Sequence, residues 1–300
     1  MRKAIDDFLT YLEGDKAYSP RTVLTYRESL NTFEDFAKSK LESSIPPAID
    51  PDVIRLWMAE SMAAGKDART VSKDMSALRS LFRYLLRTER VKKDPTRLVR
   101  NPKFMSKIPS FVKQSEMDRL LDEITFPESF QGERDRLILM TFYHTGLRVS
   151  ELVGLNVEDL DLARGELKVT GKRNKQRIVP FGAELSEALR SYLENRRSEI
   201  PAEAEERPFS PLFINKKHKR ITVSQVQAIV KFYLSTVTSQ KKRSPHVLRH
   251  TFATVMLNNG AELEAIKDLL GHKSIATTEV YTHTSFAELK KVYKQAHPRS

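Results

Sequence analysis

The 300-residue sequence predicts a mainly α-helical protein of two domains, with one small antiparallel β-sheet in the second. Three observations carry that prediction. Apolar residues recur at helical spacing behind Ser–Pro and Asp–Pro start signals in the first hundred residues. A basic, proline-bearing stretch without an acidic residue interrupts the chain at 96–113. The period then changes from helical to alternating at 162–181.

Composition narrows the class. The chain is 40% hydrophobic and 30% charged, with a mean hydropathy of −0.47. No apolar run reaches the roughly 18 residues that a membrane-spanning helix needs. Its first residues, MRKAIDDFLTYLEGDKAYSP, lack the apolar core and cleavage site of a signal peptide, and Asp6, Asp7 and Glu13 interrupt them. The sequence has no cysteine, which excludes disulfide frameworks, thiolate metal sites and cysteine nucleophiles and fits a reducing compartment. Fifty-one Lys and Arg against 39 Asp and Glu give a net charge of +12, which suggests a polyanionic partner such as nucleic acid.

That charge is concentrated. Residues 1–65 hold 8 Lys/Arg and 11 Asp/Glu, whereas residues 66–113 hold 14 Lys/Arg and 4 acidic residues. Ser19-Pro20 and Asp50-Pro51 open two helices, the first carrying Val23, Tyr26, Leu30 and Phe33, the second Val53, Ile54, Trp57 and Met58. A third is predicted from about Asp67 to Arg87, with Val71, Met75, Leu78, Phe82 and Leu85 as its core stripe. Its other face carries Arg69, Lys73, Ser76, Ser80, Arg83 and Arg87, cations and hydroxyls suited to DNA phosphates, although a solvated face would look the same. Domain bounds follow: 1–98, a basic linker 99–113, and 114–300, with Ser115 as the cap of the next helix.

In the second domain, a helix with Leu137, Ile138, Met140, Thr141 and Tyr143 stops at Gly146. Arg148 follows in TGLRVSEL, with Ser150 and Glu151 opening the next helix. Read alone, Arg148 and Glu151 could be a structural ion pair. Residues 166–170 and 176–180 are predicted strands, and Lys172 lies in the turn between them. In SPHVLRHTFATVM, Ser244 caps a helix begun by Pro245, and His246, Arg249 and His250 share one face. A divalent metal is disfavoured there, because Arg249 sits between the histidines and the HExxH glutamate is missing; an anion is the natural ligand. Gly271 ends a helix after Leu269-Leu270, His272 follows, and Tyr281 lies in a short helix with Thr277 and Thr278 behind Ser274.

The ordered set Arg148, Lys172, His246, Arg249, His272 and Tyr281 resembles the tyrosine recombinases of the phage integrase family. Length near 300, the helical first domain, the linker and the C-terminal FAELKKVYKQAHPRS look most like the bacterial XerC/XerD branch. Arg173 stands where many relatives have Gly, and Val255 where His is common. The resemblance implies an N-terminal core-binding (SAM-like) domain and a catalytic domain that together clamp DNA. It implies that Tyr281 attacks a phosphodiester and leaves a 3′-phosphotyrosyl bond and a free 5′-hydroxyl. Arg148 and Arg249 would clamp the nonbridging oxygens. Lys172 would be the general acid, His246 the base or proton carrier, and His272 a further donor. Glu151 and His250 would orient the arginines and their helix.

No cofactor, metal or ATP is implied. The stripe Phe286, Leu289, Val292 and Tyr293 would dock a helix at about 285–296 on a neighbouring subunit, in a tetramer of identical chains or with a second Xer-type recombinase. Packing on its own domain is the plainer explanation of that stripe. The FtsK translocase is the family's usual activator. The expected activity is chromosome-dimer resolution at a dif-like site in the cytoplasm; integration of a mobile element would use the same chemistry. A type IB topoisomerase and a DNA binder without catalysis are the rivals, the second having no need of all six residue types.

Overall fold

The structure, a computed structural model, describes residues 1–41, 45–103, 110–171, 174–200, 210–271 and 286–300. It divides into two compact units, Met1–Lys107 and Ile108–Ser300. Val99 and Val112, near the two ends of the expected linker, are buried in the cores of the first and second units respectively. No helix among the described residues is long and apolar enough to cross a membrane.

The first unit is built from α1 (Arg2–Glu13), α2 (Pro20–Lys40), α3 (Pro51–Ala63) and α4 (Ala68–Arg87). The start signals work as side-chain caps. Ser19 Oγ accepts from Thr22 N, Asp50 Oδ1 from Val53 N, and Asp67 Oδ1 from Thr70 N. Each satisfies a backbone donor that the helix cannot. The whole predicted stripe of α4 is buried. Leu81 and Ala77 join it, so the core face is wider than a single 4,3 stripe. Phe33 meets Trp57 edge-on at 5.1 Å at the centre of this core. Asp74 is buried on α4 as well, and sequence reasoning did not find it: Ser29 Oγ donates to Oδ1 at 2.6 Å and Lys66 Nζ to Oδ2 at 3.2 Å.

The second unit begins with a short helix, α5 (Gln114–Asp118), that widens into a π-turn at Arg119–Glu123. Ser115 is not its cap, contrary to expectation. Lys113 holds that position, and Glu116 reaches back to accept from its backbone N–H. Helix α6 (Phe130–Thr145) is the centre of the unit. It packs against α8 (Ala183–Glu199) and α10 (Pro245–Asn258), and Leu137–Thr145 are buried without a break. Between them lie α7 (Val149–Gly154) and a three-stranded antiparallel sheet, β1 (Leu160–Asp161), β2 (Glu166–Thr170) and β3 (Gln176–Pro180), in sequence order. Both hairpin strands have the predicted bounds. Helices α9 (Val223–Val237), α11 (Leu263–Leu270) and α12 (Phe286–Ala296) complete the unit. Ser244 sits at the N-cap of α10, but its hydroxyl makes no capping bond; its carbonyl accepts from Val247 N instead.

Helix α12 packs on its own unit in the single chain. Its apolar stripe turns into that unit. Tyr293 is 1% exposed, and Leu289 and Val292 pack partly buried beside Phe252, Met256 and Leu269. The residues after the helix explain the choice. His297 stacks on Tyr293 at 5.0 Å and on His144 at 4.9 Å. Arg299 is ringed by Asp118, Asp122 and Glu184. Burial, with His144 alongside, pushes the His297 imidazole down to about 3, so it packs as a neutral ring.

Candidate active site

Two left-handed glycines set the stage. Gly146, at φ 60°, ends α6, and a Cβ there would lie 2.6 Å from the Phe252 ring. Gly271, at φ 64°, ends α11. Such ends leave carbonyls without helical partners, at the negative pole of the helix dipole. Guanidinium groups fill both ends. Arg249 donates through Nη1 to Gly146 O at 2.8 Å and through Nη2 to Leu270 O at 2.7 Å. Arg148 donates through Nη2 to Gly271 O at 3.1 Å.

Glu151 is the hub. As the third residue of α7 it accepts the Arg148 backbone N–H on Oε2 at 2.8 Å, and Arg148 Nη1 on Oε1 at 2.7 Å. Arg249 Nη1 lies 4.0 Å from Oε2. The two arginines, 101 residues apart in sequence, therefore converge on one carboxylate. A third cation completes the ring, and sequence reasoning missed it. Arg177 of β3 grips Glu151 with both ends of its fork, each at 2.9 Å, and donates through Nε to Leu269 O at 3.0 Å. A signal for it existed. Arg177 lies two residues before Val179, which is buried opposite Leu167, so the strand period of two puts this cation on the core face.

Electrostatics follow from burial. Burial alone would raise the Glu151 carboxyl, but Arg177 and the Arg148 amide and side chain hold it down to about 2. Burial, then Arg148, lowers the Arg249 guanidinium to about 10, so it stays cationic at neutral pH. Three cations and one anion leave a net charge of +2 around a site where the Arg148 side chain is 36% exposed. That surplus suits a phosphate group.

The two histidines of α10 do not share the fate of Arg249. Arg249 is buried, whereas His246 and His250 are exposed. Burial, then His246 and Arg249, pulls His250 below the ordinary histidine value. Lys172, His272 and Tyr281 lie outside the described residues. Their flanks are in place: Gly171 begins the hairpin turn after β2, and Gly271 immediately precedes His272.

On the predicted DNA face of α4, Arg69, Lys73, Ser76, Arg83 and Arg87 are exposed and Ser80 is half-buried. Ser76 Oγ donates to Ser72 O, and Arg87 lies 4.4 Å over the Tyr11 ring while hydrogen-bonding its hydroxyl. Both side chains have partners within their own unit.

Residues 110–288 match the family described as phage integrase, and residues 5–89 match the phage integrase N-terminal SAM-like domain. Tyrosine recombinase XerC of Chlorobaculum tepidum is 38% identical, over 99% of this chain and 94% of its own length. XerC of Bacillus subtilis is 36% identical over 98% of this chain and 95% of its own. XerD of Staphylococcus epidermidis is 34% identical over the full length of both. The fold is shared with XerH recombinase bound to difH, at TM-score 0.69 and 23% identity over 96% of this chain and 83% of that one. A λ integrase dimer bound to a core site shares it at TM-score 0.68 and 16% identity, over 91% and 95%. The chain that gathers Arg148, Arg249 and Glu151 in this way belongs to the phage integrase family, the tyrosine recombinases, which break and rejoin DNA.

Proposed function

We propose that this protein is a site-specific recombinase that resolves chromosome dimers at a dif-like site. The observation that carries the reading is the convergence of Arg148 and Arg249 on Glu151 at two helix ends. A phosphodiester under attack gathers negative charge on its nonbridging oxygens. Donors already fixed to backbone carbonyls and to a buried carboxylate need little reorganisation to meet that charge. Tyr281 Oη attacks phosphorus and the 5′ oxygen leaves. Lys172 delivers the proton to that oxygen, His246 takes or carries the tyrosine proton, and His272 adds a donor. A free 5′-hydroxyl from another strand then reverses the step, so the energy of the broken bond is conserved.

Assembly and setting belong to the same proposal. The protein acts in the cytoplasm as a tetramer on two DNA sites, with copies of itself or a second Xer-type recombinase, and FtsK is its candidate activator. Contact between subunits runs through the segment at about 285–296. The stripe Phe286, Leu289, Val292 and Tyr293 is the face of that helix that would dock on the neighbour.

Covalent trapping tests the reading. The protein is incubated with DNA of its own host, alone and with the host's paralogue, without magnesium or ATP. Protein-linked fragments are captured after denaturation and their 3′ ends sequenced. A single locus near the replication terminus is expected, with Tyr281→Phe binding DNA but giving no adduct. Ends at element borders would replace the dimer-resolution reading with integration. Scattered ends would indicate a relaxing enzyme, and a normal adduct from Tyr281→Phe would remove the nucleophile assignment.

A further inference from the structure

Arg177 takes no part in the steps just described, yet its side chain is more deeply set than that of Arg148, at 16% exposure against 36%. Every nitrogen of its guanidinium has a partner. Nη1 and Nη2 hold Glu151, and Nε holds Leu269 O. Three of its five N–H donors are engaged and both ends of its fork face Glu151, so its action on a phosphate passes through Glu151.

The arithmetic of charge shows what that action is. Glu151 already accepts two hydrogen bonds from Arg148. Those bonds aim the arginine, but the carboxylate also cancels its charge. The fork of Arg177 fills the two remaining acceptor positions and returns a positive charge to the group. With Arg177 the cluster carries +2; without it, +1. A second link runs to the end of α11. Gly271 passes so close that a Cβ there would lie 3.1 Å from Arg177 Nη1. Arg177 thus ties the hairpin arm beside Lys172 to the carbonyl end beside His272. The pairing of Val169 with Arg177 in the sheet fixes the strand register that places it there.

We infer that Arg177 is a positioning residue for strand cleavage: it holds Glu151 so that Arg148 stays aimed at the scissile phosphate, and it offsets the carboxylate's charge so that the clamp remains doubly positive. This inference rests on the recombinase reading.

The test uses the full-length protein and a duplex carrying the site found by trapping, nicked so that the adduct accumulates. Adduct formation is measured at saturating protein, DNA affinity separately, and thermal unfolding alongside. Misplacing a positioned group by about 1 Å typically costs about 10²-fold in rate. Arg177→Met is expected to slow adduct formation by about that much with affinity nearly unchanged. Arg177→Lys, which keeps the charge and loses the fork, should fall between it and wild type. Because both residues act through one carboxylate, Arg177→Met combined with Glu151→Gln should be about as slow as Arg177→Met alone, not about 10⁴-fold slower. A rate within twofold of wild type for a folded Arg177→Met overturns the inference, as does multiplication of the two effects. A fall in affinity and melting temperature that accounts for the rate loss would make the role structural and overturn it too. If wild type itself forms no adduct with or without the paralogue, the recombinase reading falls first and takes the inference with it.

Discussion

Asp74 in the first unit and Glu151 in the second are both carboxylates buried among cations, and the two do different work. Asp74 sits inside the first unit, receiving a hydroxyl from Ser29 and an ammonium from Lys66. It lies on α4, whose far face bears Lys73 and Arg83 exposed to solvent. Glu151 sits at the rim of the second unit's core and gathers three guanidiniums, one of them partly open to solvent. In the first case the acid faces away from the basic surface and fastens helix to helix. In the second it is the scaffold of the basic surface itself. Cations that must only attract DNA can remain exposed on a helix. Cations that must meet a transition state have to be fixed beforehand, and fixing them takes an anion and several carbonyls.

The sharpest way to break this contrast is Glu151→Gln. Loss of the charged anchor should lower adduct formation by about 10²-fold, measured on prebound DNA; a change below threefold would mean that Arg148 is held well enough by Gly271 O alone. The same variant has a signature in acid. Glu151 is held down to about 2 from an ordinary 4.5, so its stabilising contribution is complete above about pH 4.5 and is lost as pH falls toward 2. Urea unfolding of wild type should lose about 1.4 kcal/mol more per pH unit across that window than Glu151→Gln does, and parallel slopes would contradict the anchoring.

Asp74→Asn should do the opposite. It weakens a buried network and should cost the first unit about 1–3 kcal/mol, read by urea unfolding. Cleavage of bound DNA at low temperature should remain at the wild-type rate. A slowed chemical step would show that the buried acid of α4 reaches beyond the fold. The smallest effect belongs to the open surface. Neutralising Arg69, Lys73 and Arg83 together should reduce the slope of log binding constant against log salt by about 0.9 per lost phosphate contact. An unchanged slope would mean that this face of α4 meets solvent in the complex.

Much of this was legible in the chain, for local reasons. Ser19, Asp50 and Asp67 announced their helices because capping is a contact across three residues. The alternation of 166–170 and 176–180 announced a hairpin for the same kind of reason. Arg148 and Glu151 could be paired from their spacing, since a third helical residue naturally reaches back to the cap. Ser115 and Ser244 show the limit: both have the right side chain beside a helix start, and in both the backbone is capped by other means.

What the sequence by itself determined, then, is the helices behind Ser19, Asp50 and Asp67, the hairpin of 166–170 and 176–180, and the place of Arg148 at a helix-to-helix turn. These follow from periodicity and from contacts a few residues apart. The tertiary structure alone decided that Arg148 and Arg249 share one carboxylate, that Arg177 joins them, and that α12 packs inward. Those contacts join residues tens to hundreds apart, and their free energy depends on which buried acceptors the fold leaves without partners. Gly146 O, Leu269 O, Leu270 O and Gly271 O become acceptors for arginine only once α6 and α11 end beside one another.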